Sequence, residues 1–254
     1  MCTADIVGYS TLITKLSLDI SKNDFVSRME FEDDEERNNC LIYLDLKGVA
    51  YHTILVNYIG LNEDGKIQYK KVKNLYIYDK RIRNILYRYL SAFEEGIRGF
   101  IANQYCGKLD KIKKLSNSVY RSIAEGNSLS KELEDLDFGH LVNITKKLDA
   151  NEKKQLFGKS NYLKENLSAV RQLRNAVSHH RLLFVYEDFY ECHLNDGRIG
   201  ESLMDNIINL MELLNPFYRN VFMDEINQST IDDEDSTFVS TLPDKAILYL
   251  KGMN

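Results

Sequence analysis

Apolar side chains recur at steps of three and four along most of this chain, and the clearest run predicts one long helix. Tyr78, Ile82, Ile85, Tyr89, Phe93, Ile97 and Ile101 form a single stripe over about six turns. Glu94 and Arg98 stand four apart on its flank, in the acid-before-base order that favours an ion pair. The same spacing predicts a helix over 161–178, with Leu163, Leu167, Val170, Leu173 and Val177 buried. It predicts another over 201–223, from Leu203, Ile207, Leu210 and Leu214. Further helices are expected over 109–123 and 140–156, and a short one over 9–30 from Leu12, Leu16 and Ile20. Residues 38–60 are apolar and Tyr-rich, compatible with helix or strand, and end in a turn at Gly60–Gly65. The stretch 181–200 is aromatic and turns at Asn195-Asp196-Gly197, which fits a short hairpin or an irregular loop. The segment after Asp224 is acidic and predicted mobile up to Leu242-Pro243.

These elements predict a predominantly all-α fold, a helical bundle with extra N-terminal helices. No linker divides it. The expected organisation is one domain over 1–254, with an extension at 1–67, a core at 68–223 and a tail at 224–254. Composition agrees, since only 2 Pro and 13 Gly leave long stretches free to be helical. Four widely spaced cysteines without a CxxC pair read as reduced thiols of a cytoplasmic protein. No leader pattern and no apolar run approaching ~18 residues is present, so neither secretion nor membrane insertion is expected.

The net charge of -5 argues against indiscriminate coating of nucleic acid, but its distribution is uneven. Acid gathers in Glu30–Glu36 and Asp232–Asp235. Between Lys66 and Arg88 eight Lys/Arg face only Asp79, and a second basic run holds Lys108, Lys111, Lys113, Lys114 and Arg121. Such runs are either solvated helix faces or a surface that tracks phosphates.

The sharpest chemistry lies at the end of the 161–178 helix. At about 100° per residue, Arg174 falls near the middle of the apolar stripe, where an unpaired guanidinium would be costly. Either a carboxylate such as Glu94 or Glu95 pairs with it, or it faces a cleft or subunit interface that takes an anion. His179 lies five residues on, about 140° around an ideal helix. The helix therefore ends or bends near Ser178, or a second copy of the chain completes the site. Arg171, Arg174, His179, His180 and Arg181 crowd together without one acid, a set suited to a phosphodiester.

The Arg-x4-His spacing alone is a common chance match. Its surroundings are more specific. The run Leu173-Arg174-Asn175-Ala176-Val177-Ser178-His179-His180 resembles the Arg-Asn-x-x-x-His-His motif of the Abi-like (abortive-infection) family of HEPN proteins. Leu75-Tyr76-Ile77-Tyr78-Asp79-Lys80-Arg81-Ile82-Arg83 resembles that family's Leu-Tyr-x-Phe-Asp-x-x-Leu-Arg block. Glu94 with Arg98 resembles its Glu-x-x-x-Arg helix, and Leu136-Asp137-Phe138-Gly139 its aromatic-Gly block. The likeness covers roughly residues 68–185. It departs at Ala50-Tyr51-His52-Thr53-Ile54, where the family has Asn-Tyr-Tyr-Arg-Leu, and at Arg181, where an Asn often follows the His pair.

The resemblance implies a HEPN-like bundle and a metal-independent endoribonuclease of a phage-defence or toxin–antitoxin system. Two motifs would meet in one cleft, so a homodimer is expected, held in check by an antitoxin that is a protein or a noncoding RNA. The RNA 2′-OH would attack the phosphate, leaving a 2′,3′-cyclic phosphate and a 5′-hydroxyl. His179 would serve as acid/base, Arg174 would hold the phosphate, and Asn175 would orient His179 or donate to a phosphate oxygen, with His180 secondary. Arg171, Arg181, Lys111, Lys113 and Lys114 are candidates for RNA contact. No metal or cofactor is implied.

Three other readings stand beside it. One is a non-catalytic RNA- or nucleotide-binding module acting as an interaction partner in defence. A second is a metal site from His179, His180, Cys192 and His193, which lacks a completing carboxylate. The third is a plain scaffold, which leaves Arg174 on the apolar stripe unexplained. A variant whose Tyr follows the motif His by two residues is disfavoured by Arg181, although Tyr186 is nearby.

Overall fold

The structure, a computed structural model, describes residues 15–252 and is predominantly helical. The helices are α1 (Lys22–Ser27), α2 (Asp34–Lys47), α3 (Val49–Ile59), α4 (Tyr69–Tyr105), α5 (Leu109–Leu115) and α6 (Asn117–Ala124). They continue as α7 (Leu129–Glu134), α8 (Phe138–Lys146), α9 (Ala150–Phe157), α10 (Leu163–Ser178), α11 (Leu203–Leu213) and α12 (Pro216–Gln228). A short helix, Phe238–Thr241, follows. Two 3-10 turns, Leu183–Val185 and Asp244–Ala246, and two small strand pairs complete the set among the described residues. Strands β1 (Met29–Glu30) and β2 (Ile67–Gln68) run parallel with Met29 opposite Ile67, and β3 (Cys192–His193) and β4 (Ile199–Gly200) form an antiparallel hairpin.

The chain forms two compact units. One comprises residues up to Ile77 together with Glu234–Lys245, the other Tyr78–Asp233 with Ala246 onward. The change of unit falls inside α4, without a linker. In the first unit Phe25, Leu44, Leu55, Val56, Val72, Leu75 and Phe238 make the core, and Asn74 Nδ2 donates to Thr241 Oγ1 at 2.9 Å. In the second, the whole predicted stripe from Tyr78 to Ile101 is buried, as are the five stripe positions of α10. Each such side chain contributes roughly 1.5–3 kcal/mol when removed from water. α10 packs against α8, α11 and β3.

Several predicted elements are corrected by local breakers. The helix expected over 9–30 has its Leu12 end outside the described residues. Its described part is helical only as α1, because Ser21 caps a fresh start by accepting from Asp24 N. Residues 38–59 are helical except at Gly48, whose φ of 85° ends α2 and opens α3, and Gly60 at φ 99° ends α3. The expected helix 109–123 is split at Ser116, extended at φ -154°. That over 140–156 is split into α8 and α9, whose start carries an Asp149/Glu152 capping box. The helix over 201–223 breaks at Leu214, and Pro216 begins α12. The acidic segment after Asp224 packs instead of projecting, for α12 runs on to Gln228, Ile226, Phe238, Leu248 and Leu250 are buried, and Arg81 pairs with Asp232. Among the described residues no helix is long and apolar enough to cross a membrane.

Candidate functional site

The end of α10 is a complete hydrogen-bonded stop. His179 is the C-cap, and its N–H donates to Asn175 O at 3.0 Å. His180 N–H donates to Val177 O at 3.1 Å and Arg181 N–H to Ala176 O at 3.0 Å, the pair of bonds that closes a Schellman motif. The motif places His180 in the left-handed region at φ 53°, where glycine is usual. A side chain there costs roughly 1–2 kcal/mol. The helix therefore ends at Ser178, and both imidazoles are exposed on the turn that follows.

One turn back, Arg174 lines an open cleft of about 270 Å³ between α4 and α10. Tyr87, Ser91, Glu94 and Arg98 come from one face of α4, and Arg174 and Ser178 from α10. The two arginines are in different states. Arg98 Nη2 sits 2.7 Å from Glu94 Oε1 and donates to Leu136 O at 2.8 Å, while its Nε donates to Leu133 O at 2.7 Å. Arg174 has no ion pair and no side-chain hydrogen bond among the described residues. Its guanidinium lies 5.8 Å from the centre of the Phe138 ring, within cation–π range. Ser178, Ser91 and Tyr87 also make no side-chain hydrogen bond there. Of the two carboxylates that could have paired with Arg174, Glu94 is taken by Arg98, and Glu95, which also lines the cleft, makes no ion pair with it among the described residues; Arg174 is only partly buried.

The separated sequence blocks meet around this helix end. Asp79, wholly buried, accepts from Leu183 N at 2.5 Å and from Arg83 Nε at 2.7 Å. Tyr78 stacks on Phe184 with ring centres 5.1 Å apart, and its hydroxyl accepts from Leu248 N at 3.0 Å. Burial pushes the Asp79 carboxyl up to about 6, against the opposing pull of Arg83 and the Leu183 N–H. Arg98 holds the loop that leads into α8, and Phe138, the first residue of α8, lies beneath Arg174.

Arg171 lies on the same side. A Cβ at Gly139 would come within 3.2 Å of the Arg171 guanidinium and 3.1 Å of Asp137 Oδ1, so the glycine keeps room for it over the start of α8. Asp137 itself is engaged, accepting from His140 N at 2.8 Å and from His140 Nδ1 at 2.6 Å. These bonds lower its pKa. Lys146, bonded to Ser168 Oγ at 2.6 Å, adds positive charge; burial and then the neighbouring Arg171 lower its pKa.

The structure thus brings Arg174 and Ser178 together in the cleft, with Arg171 on the adjoining face and His179 on the turn beyond. His179 does not line the cleft. Among the described residues Asn175 makes no side-chain hydrogen bond, and its bond to His179 is the backbone one. Arg181 is exposed and has no side-chain partner among the described residues. Lys111, Lys113 and Lys114 are exposed on α5, which packs on α6; Lys113 lies 5.3 Å from the Tyr120 ring, and none lines the Arg174 cleft. Cys192 is buried, its thiol 3.3 Å from Gly200 O, and His193 stacks on Tyr162 at 4.0 Å. Among the described residues no three His, Cys, Asp or Glu side chains gather as a metal would need. Sequence reasoning missed Tyr87 and Ser91. Their signal was the polar series Tyr87, Ser91, Glu94 and Arg98, at helical spacing beside the apolar stripe. Compared with protein-family models, curated proteins and solved structures, the chain matches none.

Proposed function

We propose that this chain is a metal-independent endoribonuclease of the phage-defence or toxin–antitoxin kind, with Arg174 and His179 at its centre. The observation that carries the reading is a guanidinium in an open cleft with no acid bound to it, one turn before an exposed imidazole on the same helix end. A guanidinium that makes no ion pair in a half-dry cleft is placed to bind an anion. In RNA the nucleophile is already present. An imidazole removes the 2′-OH proton, the oxygen attacks phosphorus, and the 5′-oxygen departs with a proton from the acid. Arg174 offsets the charge that grows on the phosphorane oxygens. Ser178 adds a hydroxyl at the cleft, and Arg171 and Arg181 hold flanking phosphates. The products are a 2′,3′-cyclic phosphate and a 5′-hydroxyl.

His179 stands outside the Arg174 cleft of its own chain, which fits a homodimer in which a second copy supplies the imidazole. The same separation supports a second reading, an RNA- or nucleotide-binding module in which Arg174 grips phosphate without cleavage. One experiment divides them. Purified protein is incubated with RNA in excess chelator, alongside Arg174→Ala and His179→Ala. A ribonuclease cleaves and loses cleavage in both variants. A binder never cleaves, and only Arg174→Ala weakens its hold on RNA. Activity that vanishes in chelator would sink the metal-free scheme.

A further inference from the structure

The sole acid in the Lys66–Arg88 stretch is not at the surface, where eight basic side chains would welcome it, but wholly buried at Asp79. Both of its oxygens are used. Oδ1 takes the Leu183 N–H at 2.5 Å and Oδ2 takes Arg83 Nε at 2.7 Å, and the Phe184 backbone also donates to the carboxylate. Leu183 is four residues beyond His179, across the left-handed His180 and the exposed Arg181. We propose that Asp79 is the positioning residue for the end of α10: through the Leu183 N–H it holds the turn that orients His179, His180 and Arg181. Its consequence for RNA rests on the function proposed above; its hold on the turn does not.

The physical case is a contest between two tendencies. A non-glycine residue in the left-handed region reverts to a commoner conformation when nothing beyond it is fixed. Here the chain after His180 is fixed at once, by Leu183 on Asp79 and by Phe184 stacked on Tyr78. The Schellman bonds of His180 and Arg181 close the near side. Removing the acceptor leaves a buried N–H without a partner, and the turn then gains by moving toward water. Arg174, a full turn back inside α10, does not depend on this anchor. Losing the anchor should therefore disturb the imidazoles and leave the phosphate grip in place. A misplacement of about 1 Å costs on the order of 100-fold in rate.

Three variants test this. Asp79→Asn keeps an acceptor for Leu183. Asp79→Leu keeps the bulk and removes the acceptor. Leu183→Pro deletes the donated N–H, and trims a buried side chain, at the first residue of a 3-10 turn, a position whose backbone tolerates proline. Hydrogen exchange at Leu183 and Phe184, the NMR signals of the His179 and His180 rings, and kcat and KM on RNA are measured for each. Asp79→Asn should keep protection and nearly all of kcat. Asp79→Leu and Leu183→Pro should lose protection at those amides, shift both imidazole signals and lower kcat roughly 100-fold, with KM within about twofold. If Asp79→Leu does not fold, Leu183→Pro and Asp79→Asn carry the comparison. Unchanged imidazole signals in the variants without the bond would overturn the proposal. So would equal losses of kcat in all three. If the parent protein cleaves no RNA, the ribonuclease reading fails, and exchange with the ring signals alone decides the role of Asp79.

Discussion

The two walls of the cleft carry the same functional group in opposite circumstances. On the α4 wall, Arg98 is bonded to Glu94 and to two backbone carbonyls at 2.7–2.8 Å, and it fastens the loop before α8. On the α10 wall, Arg174 makes no ion pair and no side-chain hydrogen bond among the described residues, and its guanidinium lies 5.8 Å from the centre of the Phe138 ring. An arginine that meets its donors with protein groups is spent on the fold. One that does not has its charge left for a ligand. Residue type and partial burial are alike, so only the bonding separates them.

Four outcomes break or sharpen this contrast. The largest concerns rate. Arg174→Ala should lower RNA cleavage by about 100- to 1,000-fold, the range for removing one donor to a developing oxyanion. Because Arg174 has no polar partner to strand among the described residues, its unfolding free energy should move by less than about 1 kcal/mol. Chemical denaturation of the same samples checks the second half.

Next comes a pH effect from Asp79, another charge spent on the fold. Its pKa rises from 3.8 to about 6 in the folded chain, chiefly through burial. A raised pKa means that the folded state binds the proton more tightly. The contribution is full below about 3.8 and is lost as pH climbs through about 6. The displacement corresponds to about 3 kcal/mol. Measured against Asp79→Asn, which does not titrate, the parent should lose up to that much stability between roughly pH 3.5 and pH 7. A flat difference would contradict the burial argument.

Arg98→Ala should do what Arg174→Ala does not. Stranding Glu94 and two carbonyls costs about 2 kcal/mol in unfolding free energy for a mostly buried pair. The smallest effect is at the turn, where His180→Gly should stabilise by roughly 0.5–1 kcal/mol by relieving the left-handed backbone. A loss of stability there would mean that the imidazole contributes packing that outweighs the strain.

Much of the fold was legible because it rests on periodicity. The stripe from Tyr78 to Ile101 and the one from Leu163 to Val177 predicted α4 and α10, and every position in them is buried. Glu94 and Arg98 were legible as an ion pair for the same reason, being four apart. What failed depends on groups far apart in the chain or on single residues. The parallel pairing of Met29 with Ile67 carries no local signal. Breaks at Ser116 and Leu214 are one-residue events that a stripe runs straight past. The α7 helix is too short for a period to show. The position of Arg174 was half legible. Its angle on α10 pointed inward, but the neighbouring wall stops short of it and leaves a cleft. The resemblance blocks gave an order along the chain without a reason. Their bonds give one, since Tyr78 and Asp79 hold the segment after α10, Phe138 lies against Arg174, and Arg98 fastens the loop that leads to Phe138.

The most direct test of the account is the chemistry of the cut ends. RNA cleaved by the purified protein in excess chelator should carry 2′,3′-cyclic phosphates and 5′-hydroxyls, and Arg174→Ala should leave the RNA whole. Ends bearing a 5′-phosphate, or equal cleavage by Arg174→Ala, would contradict it.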